Sequence, residues 1–378
     1  APKGVWPGRH PMSSMEKSLL ELIRRTSSEL SDDIVVAIQQ AYDKEDDNTN
    51  GKLVIELIRE SICVAFQEQV PLSLHTSSVQ FHVCAVEKFD FQAFQAAAQN
   101  AVAEATKLGY LQPGLIDPVT QKTLKTNVGP GSPAFFYDME TVKELEVRLM
   151  LKGDGGENAG AQYSIPNEEL SAALDLHGVR RAVLNSLIQA QGRGCGPGIV
   201  GVGIGGDRAS GYVLAQRQLL RPLKDKNRVK AVAQLEKRIV EDANNLGIGP
   251  MGFGGRSTLL AAKVAAETSP RTTCFVSVAY TGWACRRQGV RLDSKSDIAE
   301  WLYPVTEGLA LSKLGSPEPV ARAAARKPST AISKTAKPKV VKIPTKAKGT
   351  SKAAPQKKVA KQVRVGKKIS TAAKGRQA

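Results

Sequence analysis

The last stretch of the chain has no negative charge and no aromatic residue. From Ala321 to Ala378 there is not one Asp or Glu, and Glu318 is the last acidic residue. Of the 53 Lys and Arg in this 378-residue chain, 18 lie in that stretch. Residues 1–320 therefore carry 35 basic against 36 acidic side chains, a net charge of −1, although the whole chain has +17. Such a tail has too little apolar surface to offset its ordering entropy and is expected to be disordered when free. No apolar run approaches the ~18 residues of a membrane helix. The five cysteines, Cys63, Cys84, Cys195, Cys274 and Cys285, are odd in number and widely scattered. This excludes a disulfide framework and predicts a reducing compartment. The first residue is Ala1, so a trimmed Met or a removed targeting segment is expected to have preceded it.

The remaining residues are long enough to build a substantial core. Residues 1–14 read as an extended, Pro- and Gly-rich lead-in. Apolar spacings of three and four predict helices over 15–25, 31–44 and 52–67, the last through Leu53, Leu57, Ile58, Ile62 and Phe66. Further helices are predicted over 91–108, 179–191, 208–219, 228–245 and 257–268, with Gly109 closing the first of these. Alternation at Val79, Phe81 and Val83, and at Leu145, Val147, Leu149 and Leu151, predicts strands. Two more are read at 199–204 and 275–280. Residues 111–137 read as a long ordered loop. The interleaving gives a helix-rich mixed α/β (α+β) fold. The domain reading is a lead-in at 1–14, one domain at 15–305, a linker at 306–320 and a basic tail at 321–378.

Three segments are rich in glycine: Lys152–Asn158, Gly192–Gly206 and Gly247–Gly255. Such loops can present backbone N–H groups to anions, or can simply let backbones pack closely. The Gly-Val-Gly-Ile-Gly-Gly stretch lacks the spacing of a dinucleotide fingerprint. The histidines, His10, His75, His82 and His177, show no metal-ligand spacing and read as surface or loop residues.

The runs KGDGGEN (152–158), GPGIVGVGIGGDR (196–208), IGPMGFGGRSTLLAAKV (248–264) and FVSVAYTGWACRR (275–287) resemble class I fumarases and the α-subunits of tartrate dehydratases. The resemblance spans roughly residues 15–305. It implies an iron–sulfur hydro-lyase body, in which three cysteines hold a 4Fe–4S cluster whose open iron acts on a dicarboxylic acid. The family's Pro-Leu-Cys-Gln-Asp-Thr-Gly motif matches Pro71–Ser77, so its first cysteine is Ser73 here and its acid-base aspartate is His75. The second cysteine is Cys195. The third falls at Gly282, before Trp283-Ala284. A family histidine falls around Ser269–Arg271, and a substrate-binding arginine at Gln112. Cys84 and Cys285 are the other thiols within reach of the motif residues. The resemblance also implies a second catalytic half, whose place the basic tail is expected to take.

These substitutions lead to the expectation of an inactive enzyme with no cofactor and no catalytic residue, Ser73, Cys195 and Gly282 being vestigial cluster positions. The tail is expected to bind phosphates through Lys327, Lys334, Lys337, Lys339, Lys342, Lys346, Lys348, Lys352, Lys357, Lys358, Lys361, Arg364, Lys367, Lys368, Lys374 and Arg376. Without aromatics it has no platform on which bases could stack. The expected role is structural: a component of a ribonucleoprotein, foremost a mitochondrial ribosomal protein binding rRNA through its tail and other proteins through its body. A retained homodimer or heterodimer contact is also open. The alternatives are an iron–sulfur hydro-lyase α-subunit that needs a β-subunit, or a DNA- or chromatin-associated protein, nuclear or organellar; the expected location is mitochondrial, with nuclear or cytoplasmic as the alternative.

Overall fold

The computed structural model describes residues 11–314, apart from Leu74, Ser77, Met139, Glu140 and Glu307. His10 and every basic position assigned to the tail lie outside the described residues.

The chain opens with three helices, α1 (Ser14–Ser28), α2 (Asp32–Lys44) and α3 (Asn50–Glu68). Each begins where a short polar side chain precedes an apolar periodicity. Ser13 and Glu16 form a reciprocal capping box on α1, and Thr49 accepts from the Lys52 amide at the start of α3. The buried face of α3 is set by Ile55, Ile58 and Ile62. Leu53 and Leu57, expected on that face, are exposed instead. At about 100° per residue they fall on the side of the helix opposite the Ile55, Ile58 and Ile62 stripe.

Strand β1 (Ser78–Cys84) follows, then α4 (Phe91–Lys107), capped by Asp90. Gly109 takes φ +85 just past the helix end, as its reading as a terminator requires. Next come β2 (Ala134–Asp138), β3 (Leu145–Lys152), the short α5 (Asp154–Asn158), β4 (Ala161–Ile165), α6 (Leu176–Ala190), β5 (Gly198–Ile204), α7 (Arg208–Gln218) and α8 (Lys230–Asn245). The chain then runs through β6 (Leu259–Ala266), β7 (Cys274–Thr281), β8 (Arg286–Leu292), β9 (Ile298–Trp301) and α9 (Leu309–Leu314).

The strands form two mixed sheets, a five-stranded one ordered β2-β1-β3-β8-β9 and a four-stranded one ordered β4-β7-β5-β6. Val79, Phe81 and Val83 of β1 point into a core shared with α1 and α4. Phe81 and Phe94 meet there edge to face. The second sheet buries one face against α6 and α8, and contributes Ile199, Ala261 and Ala279 to a core with α2 and α3. The mixed α/β reading of the sequence holds.

Two readings of secondary structure do not. Residues 259–266 form a strand, not a helix, pairing in parallel with β5 from Gly198↔Leu259 to Ile204↔Ala266. Nearly all of it is buried, so no alternation marks it, and its alanines mimic a helix former. The second misreading is β2, inside the expected loop. Its side chains are all half-buried, so it too has no alternating pattern. Strand β8 also went unseen, because it begins Arg-Arg-Gln and still buries all three residues. Arg287 finds its counter-charge in Asp33, 2.6 Å away at the start of α2. His82, expected at the surface, is buried in β1 and stacked on Phe136 with centroids 4.7 Å apart.

The Gly-Val-Gly-Ile-Gly stretch is explained by packing. A Cβ on Gly201 or Gly203 would run into the backbone of α7 at Ala215 or Gly211. Residues 247–255 are pinned in the same way. A Cβ on Gly255 would sit 2.6 Å from Glu45 Oε2, and Glu45 accepts from the Arg256 amide at 3.0 Å.

Candidate functional site

Strand directions bring four loops to one place. In the first sheet Ser78, at the start of β1, faces Lys152 at the end of β3. In the second, Ile199 near the start of β5 faces Thr281 at the end of β7. The chain passes between the sheets twice at this edge, through α5 and through residues 282–285. The described residues of 71–76 and loops 153–158, 192–197 and 282–285 therefore converge.

Their contacts are backbone contacts, which is why glycine recurs. A Cβ on Gly153 would lie 3.0 Å from the His75 carbonyl oxygen. On Gly155 it would lie 3.1 Å from Cys195 Sγ and 2.5 Å from the Arg193 oxygen. On Gly282 it would lie 2.6 Å from the Cys195 oxygen and 3.0 Å from Cys195 Cβ. The Trp283 amide donates to the Cys195 oxygen at 3.0 Å. Cys195 itself takes φ +58, a left-handed conformation that costs a residue bearing a Cβ about 1–3 kcal/mol and is held here by its neighbours. The ring of Tyr280 lies across this turn: a Cβ on Gly194 would come within 2.6 Å of it.

The charged groups are arranged by depth. His75 and Asp154 stand exposed at the lip, Nδ1 4.0 Å from Oδ2. Below them the Lys152 ammonium is wholly buried and 2.8 Å from Glu157 Oε2. Glu157 also accepts from Gln80 at 3.2 Å. Arg286 is buried and donates to the carbonyls of Ser73 (3.0 Å) and His75 (2.6 Å) and to Thr76 Oγ1 (3.0 Å). Burial pulls its guanidinium down to about 10. Burial also raises the Cys195 and Tyr280 hydroxyl and thiol pKa values, so both groups hold their protons at neutral pH.

The loops that carry Ser73, Cys195 and Gly282 thus lie together, with His75 on the first of them. The segment carrying Gln112 lies close as well, since a Cβ on Gly114 would be 3.2 Å from the Thr76 oxygen. Ser269–Arg271 is elsewhere. It joins β6 to the start of β7, and Gly282 follows the other end of that eight-residue strand, about 25 Å away. Cys285 is buried, its thiol pushed up to about 11 by burial. Cys84 donates to Asp138 at 3.1 Å, and burial with that carboxylate raises it to about 12. Among the described residues no three His, Cys, Asp or Glu side chains gather in a group that could hold a metal ion. Measured against a cluster held by three thiolates, the donor set here is one thiol, one hydroxyl and a glycine, which does not fit. Sequence reasoning missed Arg286 and the Lys152–Glu157 pair. Their only signal was a basic residue in a strand otherwise destined for burial.

Comparison with known proteins gives one consistent answer. The family model described as Fumarate hydratase (Fumerase) matches residues 16–291. A Geobacillus stearothermophilus protein assigned by name to fumarate hydratase class I is 40% identical over 296 residues, covering 77% of this chain. The chain spans only 58% of that relative's length. A Methanocaldococcus jannaschii protein assigned by name as an L(+)-tartrate dehydratase subunit alpha is 31% identical over 284 residues, covering 73% of this chain and 98% of the relative. The L(+)-tartrate dehydratase subunit alpha of Escherichia coli K12 is 26% identical over 264 residues, covering 69% and 85%.

These matches correct two expectations. The relatives are named as hydratases and dehydratase subunits, and nothing in them points to a ribosomal, rRNA-binding or chromatin role. The reading as a mitochondrial ribosomal component is therefore withdrawn. The expectation of a chain without a cofactor falls too, because the family is one of iron–sulfur hydro-lyases and a changed donor set is not an absent cluster. Matched over most of its length, with its glycine loops gathered at one edge of two sheets, the chain belongs to the fumarate hydratase (Fumerase) family.

Proposed function

We propose that this chain is the α-type half of a hydro-lyase that adds water to, or removes it from, a four-carbon dicarboxylic acid, and that it works with a β-type half on a separate chain. The observation that carries this reading is the meeting of the four loops at Cys195, with backbone amides, Lys152, Arg286 and the exposed His75 around them. A small dianion suits such surroundings. Glycine-rich turns let main-chain N–H groups approach it, and cations beneath them favour negative charge. His75 stands where it can exchange a proton with a bound acid, with Asp154 beside it. The names of the relatives support the division into halves: residues of this chain cover 98% of a relative named as an L(+)-tartrate dehydratase subunit alpha.

The test is turnover of the mixed halves. The chain and a β-type half, prepared together under anaerobic conditions with iron and sulfide, should convert fumarate, L-malate or L-tartrate, and neither half alone should do so. A stable complex of the two halves that leaves all three acids unchanged would contradict the proposal.

A further inference from the structure

Arg286 is a buried cation without a buried anion. It is 2% exposed, and among the described residues no carboxylate lies within ion-pair distance of it. Its neighbour Arg287, equally buried, is paired with Asp33. An isolated buried charge is expensive unless its donors are met. Arg286 meets the cost with three bonds to a single short stretch: Ser73 O, His75 O and Thr76 Oγ1. Its Nε finds no partner among the described residues. Its described residues, Ser73, His75 and Thr76, belong to no helix or strand and lie between α3 and β1. The planar guanidinium can span several acceptors at fixed angles, which an ammonium cannot. Gly153 completes the clamp from the other side, its missing Cβ leaving room for the His75 carbonyl at 3.0 Å and for Arg286 Nη2 at 3.8 Å.

We infer that Arg286 is the positioning residue of the site: it fixes loop 73–76 against the glycine turn at 153 and so sets where Ser73 and His75 stand. The functional meaning of this clamp rests on the reading of the four-loop site given above. The clamp itself does not, so the two can fail separately.

The experiment is hydrogen exchange of the full-length chain, read in peptides covering 71–77. Arg286→Ala should speed exchange there at least about tenfold, while peptides from α4 stay as in the wild type. Millimolar ethylguanidinium should restore protection by refilling the hole, and propylammonium should not. Thr76→Val removes one acceptor and leaves the charge in place; it should speed local exchange about three- to tenfold, and it decides the matter if Arg286→Ala does not fold. Arg291→Ala, on the same strand but half-buried and paired with Glu300, should change nothing at 71–77. Unchanged protection in Arg286→Ala, or in Thr76→Val where the first variant is unfolded, would overturn the inference. So would rescue by both cations alike. In the assembled enzyme, Arg286→Ala should lower kcat more than it raises KM. A wild-type pair that turns over nothing would refute the proposed reaction and leave the exchange result to judge the clamp.

Discussion

His82 makes the stability of the fold depend on pH in a way that one substitution should abolish. Its imidazole is buried in β1, stacked on Phe136, and its Nε2 has no partner among the described residues. Burial is the main cause that lowers its pKa to about 4; Arg217 and Arg148 push the same way, and Asp138 opposes them. In the unfolded chain the ordinary value of 6.5 returns. The folded value is the depressed one, so the unfolded state takes up the proton first as pH falls. Stability is then full above pH 6.5 and is lost as pH drops toward 4. With these two values the loss between pH 7.5 and pH 5 is about 2 kcal/mol, and it approaches about 3 kcal/mol at lower pH. Carboxylates titrate over the same range, so the quantity to measure is the difference between wild type and His82→Phe, which keeps the stack and removes the titration. Urea unfolding at intervals from pH 7.5 to 4.5 gives it. The variant should gain about 2 kcal/mol on the wild type between pH 7.5 and 5. A difference that stays flat across that range would refute the reasoning.

Gly282→Ala should destabilise the chain by about 1–3 kcal/mol in denaturant, because the new Cβ has the Cys195 oxygen 2.6 Å away and the Gly194 oxygen 2.7 Å away. An unchanged midpoint would show that this turn has room the geometry denies. Asp33→Asn leaves Arg287 charged and buried with its anion gone, and should cost about 3–5 kcal/mol by the same measurement. Burial raises the Cys195 thiol, so its alkylation by iodoacetamide should keep accelerating past pH 9, scored against Cys195→Ser; a plateau by pH 8 would contradict the buried setting.

Much of the site could be read in the sequence because its parts are motifs with fixed spacing. Ser73, Cys195 and Gly282 were placed by resemblance, and the structure brings the loops that carry them together. What the sequence concealed was hidden by burial. Residues 259–266 are shielded on both faces, so the alternation that would mark a strand never develops. Arg286 and Arg287 look like solvent-seeking charges, yet one is paired with Asp33 across 254 positions and the other with carbonyls 211 and 213 positions away. His82 differs from a surface histidine only in having Phe81 and Val83 as neighbours on a strand whose two faces are both covered. The purpose of the glycines was equally out of reach. Gly201 and Gly203 serve the approach of α7, whereas Gly153 and Gly155 serve the convergence at Cys195, and the two uses are spelled alike. The tail drew attention toward nucleic acid because its charge is so lopsided, and the relatives direct it back to residues 16–291, which the fumarate hydratase family model matches.

The most direct test of the central claim is to mix the chain with a β-type half in D2O, supply fumarate, L-malate or L-tartrate, and follow the products by proton NMR. Where fumarate is the substrate, the account predicts malate carrying a single deuterium on the methylene carbon next to the one that bears the new hydroxyl, formed in one stereochemical sense and only when both halves are present. Fumarate, L-malate and L-tartrate that all survive unchanged in a verified complex of the two halves would contradict it.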